Sequence, residues 1–290
     1  MHIASADAFF ISGFLLQAEP DSGKRGTERP AMVIETFKRY EKKYYVTEKQ
    51  LDLLMERAEQ YMAFDPYCTG GRYYPLYNLY FDTPEHEIIL ESISRPEYKE
   101  KLRLRSYVPD PGANSKVFLE IKKKCSRIVS KRRATMLYPD AVHYLKYGVY
   151  DVPDLPSEYR KRQVLREIDY FMQIHRYQVK PSIFVAYDRI ALFGKNDRDF
   201  RMTFDNNIRV RKEEELTLDA DRPCSYLLPN DVYLMELKVA TALPLWLTGA
   251  LSEFGIFPTS FSKVGRAYEM FSTGIPSEHQ VRRTLSQIDS

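Results

Sequence analysis

The sequence predicts an α+β fold, an eight-stranded antiparallel β-barrel with a charged lumen and helices packed outside. Three observations predict it. About eight strand-like segments follow one another, mostly through short links that imply antiparallel pairing. At least five of them carry charged residues on one face and mainly aliphatic residues on the other. Several amphipathic helices lie between them and need an apolar surface to cover. Turning the apolar faces outward under the helices, with the charges enclosed, meets both demands, and closure removes the sheet edges.

The elements are expected in this order. A strand covers about 33–46, and Thr47 with Gln50 three residues later forms a capping box for a helix over about 48–63. Leu51, Leu54, Met55 and Ala58 share its buried face. A strand over about 76–82 ends at Asp82-Thr83-Pro84, and a short helix follows near 85–93. Strands at about 97–108, 116–125 and 127–137 come next, the first two joined by the turn Pro109-Asp110-Pro111-Gly112. After a helix near 157–174, strands recur at about 180–193, 199–211 and 231–240, and helices near 243–254 and 262–273 close the domain. The expected organisation is a disordered or extraneous extension over 1–31, one domain over 32–274 and a flexible tail over 275–290.

The 290 residues are 44% hydrophobic, enough for a sizeable core. Three scattered cysteines without a Cys/His cluster argue against structural zinc and fit a reducing, cytoplasmic setting. The net charge of +3 does not indicate nucleic acid. Between Arg95 and Arg133, however, 13 Lys/Arg face 4 Asp/Glu, which places an anion site in that stretch. No apolar run reaches the ~20 residues of a membrane span; the run at 8–16 lacks the preceding basic residues of a signal peptide.

Strand alternation collects the candidates. Lys99, Lys101, Arg103 and Arg105 share one face; so do Glu120, Lys122 and Lys124; so do Arg201, Thr203, Asp205, Asn207, Arg209 and Arg211. Glu236 and Lys238 align, as do Arg39, Glu41 and Lys43. Like charges across a sheet repel unless an anion lies between them. Guanidinium forks and ammonium groups match consecutive phosphates. The carboxylates Glu41, Glu120, Asp205 and Glu236 are candidate ligands for Mg²⁺ or Mn²⁺ bridging phosphate oxygens. No nucleophile–base set is visible, so any catalysis is electrostatic and positional.

Eight segments in order carry a resemblance: KRYEKKYYV (38–46), YFDT (80–83), KLRLRSY (101–107), FLEIKKK (118–124), YDRIAL (187–192), MTFDNNIRVR (202–211), MELKV (235–239) and FSKVGRA (261–267). Together they resemble the VTC domain, the catalytic domain of the vacuolar transporter chaperone complex, within the CYTH-like triphosphate tunnel metalloenzymes. The resemblance implies a polyphosphate polymerase that moves the γ-phosphate of ATP onto inorganic polyphosphate with Mn²⁺ or Mg²⁺. It implies catalytic roles for Lys43, Arg103, Arg105 and Glu236, and phosphate contacts at Lys122, Lys131 or Arg132, Arg189, Arg201, Ser262 and Lys263. Arg39 stands where the superfamily's ExExK strand begins with glutamate, and Lys124 where eukaryotic polymerases resemble one another in having histidine. The SPX domain and transmembrane helices of those proteins are absent, so a membrane-protein partner is expected on another chain, if at all. The same site would also suit a triphosphatase or tripolyphosphatase, or a polyphosphate-binding module without turnover.

Overall fold

The computed structural model describes residues 40–286 apart from 69–72, 95, 126–127, 149 and 154. The expected extension over 1–31 and Arg39 lie outside the described residues. Strand β1 (Tyr40–Thr47) leads directly into α1 (Glu48–Ala58). The capping box is present: the Gln50 N–H donates to Thr47 Oγ1, and the Thr47 N–H donates to Gln50 Oε1 at 3.0 Å. Helix α1 stops at Ala58, and Met62–Phe64 form a short β2 where the sequence predicts more helix.

Then come β3 (Tyr74–Asp82), α2 (Glu87–Ile93), β4 (Tyr98–Ser106), β5 (Lys116–Cys125) and β6 (Ile128–Leu137). Helix α3 (Tyr138–Tyr147), which the periodicity does not announce, ends on Gly148 in the left-handed region at φ 69°. It precedes α4 (Tyr159–Ile174), β7 (Lys180–Gly194), β8 (Arg201–Lys212), β9 (Ser225–Tyr226) and β10 (Val232–Val239). Helices α5 (Leu245–Glu253), α6 (Lys263–Thr273) and α7 (Ser277–Ser286) complete the chain, with β11 (Pro258–Thr259) before α6. The expected flexible tail is corrected over its first part: α7 buries Val281 in the core.

The strands form one antiparallel sheet in the order β11-β1-β10-β8-β7-β3-β4-β5-β6, with β2 added on β7 and β9 on β8. Two expectations are corrected. Eleven strands are described rather than eight, and the sheet does not close into a barrel, because β6 has no partner on its outer edge among the described residues. The facing edge of β1 is taken by β11, where Pro258 stands opposite Tyr44 without an N–H to continue the ladder.

The open sheet still curls. Strands β1 and β5 are six places apart in the order, about 29 Å on a flat sheet. Yet Lys122 Nζ of β5 lies 3.7 Å from Glu41 Oε2 of β1. Side chains therefore meet across the seam that backbone hydrogen bonds leave open.

The outer face is apolar and covered by helices, as expected. Helices α1 and α5 pack on Met202, Phe204, Met235 and Leu237. Helices α3 and α4 pack on Leu102, Leu104, Leu119 and Ile121. Each such side chain contributes ~1.5–3 kcal/mol of burial. The inner face divides in two. One part is apolar, with Tyr45, Leu76, Val185, Ile208 and Leu234 against Phe261, Val264 and Ala267 of the α6 region. The other part is charged.

Candidate functional site

Alternation on β4 and β5 sets the first cluster. Arg103 Nε donates to Glu120 Oε2 at 2.6 Å, and its Nη1 donates to Tyr80 Oη at 3.0 Å. Arg105 Nε donates to Asn78 Oδ1 at 2.8 Å, and its Nη2 to Tyr187 Oη at 3.2 Å. Lys131 Nζ, one strand over, is 2.7 Å from Glu120 Oε1. Burial opposes ionisation of Glu120, but Arg103, Arg105 and Lys131 overcome it and hold its carboxyl at about 2.

The second cluster joins β1, β7, β8, β10 and α6. Arg189 forks onto Asp205, Nε to Oδ1 at 2.6 Å and Nη2 to Oδ2 at 2.7 Å. Lys263 Nζ lies 2.5 Å from Asp205 Oδ2 and 3.2 Å from Glu236 Oε1. Lys43 Nζ lies 3.3 Å from Glu236 and 3.4 Å from Glu41, and donates to the Phe261 carbonyl at 2.8 Å. Lys238 Nζ is 3.8 Å from Glu236 Oε2. The Tyr187 ring links the clusters, with Arg189 and Lys263 5.1 and 4.7 Å from its centre.

Beside them opens a cavity of about 620 Å³, lined by Lys43, Lys99, Lys101, Lys122, Lys124 and Arg266 among others, with Glu41 and Glu269 as its carboxylates. Burial, with Lys99, Lys122 and Lys43 nearby, brings Lys101 down to about 8 against the pull of Tyr80. Burial and Arg103 bring Lys131 down to about 7 against the pull of Glu120. Burial resists ionisation of Tyr80, yet Arg103 and Arg105 lower it to about 8. Two lysines and a tyrosine all held below their ordinary values describe a site with cationic groups in excess.

The residues that would hold a divalent ion are Glu41 and Glu236, which the Lys43 ammonium bridges at 3.4 and 3.3 Å and which both offer hard oxygen ligands. Among the described residues no group of three His, Cys, Asp or Glu forms a metal cluster. Mg²⁺ and Mn²⁺ need none when substrate phosphates supply the other ligands. Cationic groups approach both oxygens of all four carboxylates; Glu120 and Asp205 suit the role less because theirs are held at 2.5–2.7 Å, whereas the contacts to Glu41 and Glu236 are 3.2–3.8 Å.

The structure brings together Lys43, Lys101, Arg103, Arg105, Lys122, Lys131, Arg189, Lys238 and Lys263 on the inner face, with all four candidate carboxylates. Lys124 lines the cavity; Arg201 stands opposite Lys238 at the exposed rim. Arg132 is corrected: it leaves on the outer face and lies 3.0 Å from Glu167 of α4. Lys123 also faces out, toward Glu100 and Glu167, as alternation requires. Ser262 caps α6, its Oγ accepting the Gly265 N–H at 3.2 Å, while it lines the cavity. Arg209 and Arg211 are corrected from the inner face. Asn207 adopts φ 52° in a bulge that shifts the β7–β8 register, and Arg211 turns outward onto Glu213 and the Phe184 ring.

Sequence reasoning missed Asn78, Tyr80 and Tyr187, which orient the two arginines. Their signal was parity: Asn78 and Tyr80 stand opposite Arg105 and Arg103 across β3 and β4. His86, His143 and His175 take no part; all three pack against aromatic rings.

The chain was compared with known proteins. A search of curated proteins finds no match. Among solved structures it is similar to a candidate adenylate cyclase from Bacillus halodurans, at 13% identity over 77% of this chain and 92% of that one, TM-score 0.45. It is similar to a candidate adenylate cyclase from Vibrio parahaemolyticus, at 14% identity over 80% and 98%, TM-score 0.40. It is also similar to a candidate adenylyl cyclase from Hippeastrum described with a dominant triphosphatase activity, at 16% identity over 82% and 98%, TM-score 0.38. The VTC domain model matches residues 38–272, nearly the whole described chain, and on that match the chain belongs to the VTC domain family.

Proposed function

We propose that this chain is a metal-dependent phosphotransferase that extends inorganic polyphosphate with the γ-phosphate of ATP. Its VTC domain membership supports phosphoryl-transfer chemistry, and one observation carries the finer reading. Lys101, two positions from Arg103 on the same face of β4, lines a lysine-rich cavity of about 620 Å³, so a second polyanion can lie beyond a triphosphate held at the arginines.

In this reading Arg103 and Arg105 hold the transferred phosphoryl group, and Glu120, Tyr80, Asn78 and Tyr187 fix both guanidinium planes beforehand. Lys43 and Lys263 steady Glu236 near the phosphates. A terminal oxygen of the polyphosphate attacks the γ-phosphorus, the bond from that phosphorus to the β,γ-bridging oxygen breaks, and ADP leaves. The attacking oxygen is already anionic, so no side-chain base is required. A divalent ion at Glu41 and Glu236 would neutralise phosphate charge during transfer.

Incubation with ATP and Mn²⁺ followed by product analysis tests the reading. Long phosphate chains with one ADP per phosphate added are expected. Orthophosphate alone would assign a hydrolase, and tight polyphosphate binding with neither product would assign a binding module.

A further inference from the structure

We propose that the end of the inner channel opposite the lysine-lined cavity carries a nucleobase platform, built by Tyr67 and Tyr107 with Tyr74 and Phe118. The inference rests on the phosphotransferase reading and gives the channel a direction: nucleoside at the aromatic end, polyphosphate at the basic end.

Strand parity puts the rings next to the guanidinium groups. Tyr107 follows Lys101, Arg103 and Arg105 on one side of the β4 chain, and Phe118 precedes Glu120 and Lys122 on β5. Tyr74 stands opposite Arg189 on the neighbouring strand. The four rings meet one another: Tyr67 and Tyr107 stack at 5.9 Å with planes 12° apart. Tyr74 lies 6.1 Å from Tyr67 and 6.2 Å from Tyr107, and Phe118 meets Tyr107 edge-on at 5.5 Å. Arg133 lies 5.0 Å from the centre of the Phe118 ring, so a cation borders the cluster.

Hydrophobic packing alone does not account for this arrangement. Tyr67 is 71% exposed, and Phe118 is only part-buried. A ring that gains little by burial is nevertheless held in place. The Asp65 N–H donates to the Ala191 carbonyl at 2.8 Å, Asp65 Oδ1 accepts the Tyr67 N–H at 3.0 Å, and the Ala191 N–H donates to Cys68 Sγ at 3.2 Å. Three bonds thus fix the turn that presents Tyr67 to β7, and a pre-set aromatic face loses little entropy when a base stacks on it.

Spacing agrees. Arg103 and Tyr107 are four strand positions apart, about 14 Å along β4. That is comparable with the reach of an extended triphosphate and ribose. With the γ-phosphate at Arg103, the base arrives at Tyr107. In the other direction Lys101 and Lys99 lead into the basic cavity, where the described residues form no comparable stack of rings. Every nucleobase has a π-face, and purines offer the larger one, so a purine nucleoside triphosphate fits the platform best.

Titration calorimetry on the full-length protein with ATP and with inorganic tripolyphosphate, in parallel, tests the platform. Tyr67→Ala should weaken ATP binding about tenfold while tripolyphosphate binding stays within twofold. Tyr67→Trp should retain ATP binding, and its added indole fluorescence should change with ATP and not with tripolyphosphate. If Tyr67→Ala leaves ATP affinity unchanged, or weakens both ligands equally, the platform is refuted while tripolyphosphate binding keeps the phosphate site standing. If the unaltered protein binds neither ligand, the phosphate reading itself falls, and the platform with it.

Discussion

Strands β4 and β8 read almost alike, yet only β4 delivers what its sequence promises. In β4 the basic residues Lys99, Lys101, Arg103 and Arg105 keep to one face from end to end. Strand β8 begins the same way, with Thr203 and Asp205 inward, and then changes hands at Asn206–Asn207. Beyond the bulge Ile208 and Val210 enter the apolar inner half, and Arg211 passes to the outer face. A single residue in the left-handed region reverses every later side chain, because the period of a strand is two. Similar arginines on two strands thereby acquire different surroundings: those of β4 join the charged inner cluster, and Arg211 packs on the outer face.

Substitution should separate these roles, and the largest effect belongs to β4. Arg103→Ala with Arg105→Ala should lower turnover by on the order of 10³-fold or more, the scale of removing preorganised transition-state charge. Lys131 still partners Glu120, so the double variant should keep its circular dichroism spectrum. Near-normal turnover would remove both residues from the site.

Arg211→Ala should do the reverse. Arg211 is 8% exposed, lies 2.8 Å from Glu213 and sits 3.7 Å from the centre of the Phe184 ring. Removing it leaves a buried carboxylate short of a partner and should cost about 3 kcal/mol of unfolding free energy in denaturant titration. Turnover per folded molecule should stay unchanged. A large loss of turnover at full stability would return Arg211 to the channel.

The difference between the strands marks what was legible in the sequence. Alternation exposed the charged faces of β1, β4, β5 and β10, and with them Lys43, Arg103, Arg105, Glu120 and Glu236. It also required an apolar outer face, and Leu102, Leu104, Leu119 and Ile121 are there under α3 and α4. It could not show the bulge, since Asn206 and Asn207 suit an extended strand and a left-handed turn alike until cross-strand pairing decides. Nor could it show whether the sheet closes. That depends on Pro258, far along the chain, occupying the free edge of β1. The neutral groups that orient the arginines were hidden for a related reason: a tyrosine or asparagine on a strand gains its role only from what stands opposite.

Binding should depend on pH in a direction the β4 row sets. In the ligand-free protein Lys101 titrates near 8, and a phosphate chain beside it raises that value, so binding takes up a proton. Affinity for tripolyphosphate should therefore fall by up to about tenfold as pH rises from 7 to 9. Lys131, lowered to about 7 but 42% exposed and screened by solvent, adds a smaller drop at the acid end. Ligand-free stability should move the other way. A lysine whose folded value lies below its unfolded value of ~10.4 disfavours folding by a constant amount below pH 8, and the penalty fades as pH rises from about 8 to ~10.4. Calorimetry in buffers of unlike ionisation heat checks the proton count; proton release on binding would contradict the assignment.

The smallest effect tests the bulge that separates the two strands. Asn207 at φ 52° donates through Nδ2 to Asp188 Oδ2 at 2.7 Å, so both backbone and side chain hold the reversal. Asn207→Gly loses the hydrogen bond but keeps the conformation accessible, and the two changes nearly offset. Asn207→Val loses the same bond and forces a β-branched residue into the left-handed region. The valine variant should be less stable than the glycine variant by about 1 kcal/mol, compared by denaturant unfolding. Equal stability would mean that residue 207 does not need positive φ to place Arg211 outside. The reversal would then be imposed from β7, where the register shifts between Ala186 and Asp188, and the distinction between β4 and β8 would rest on the partner strand.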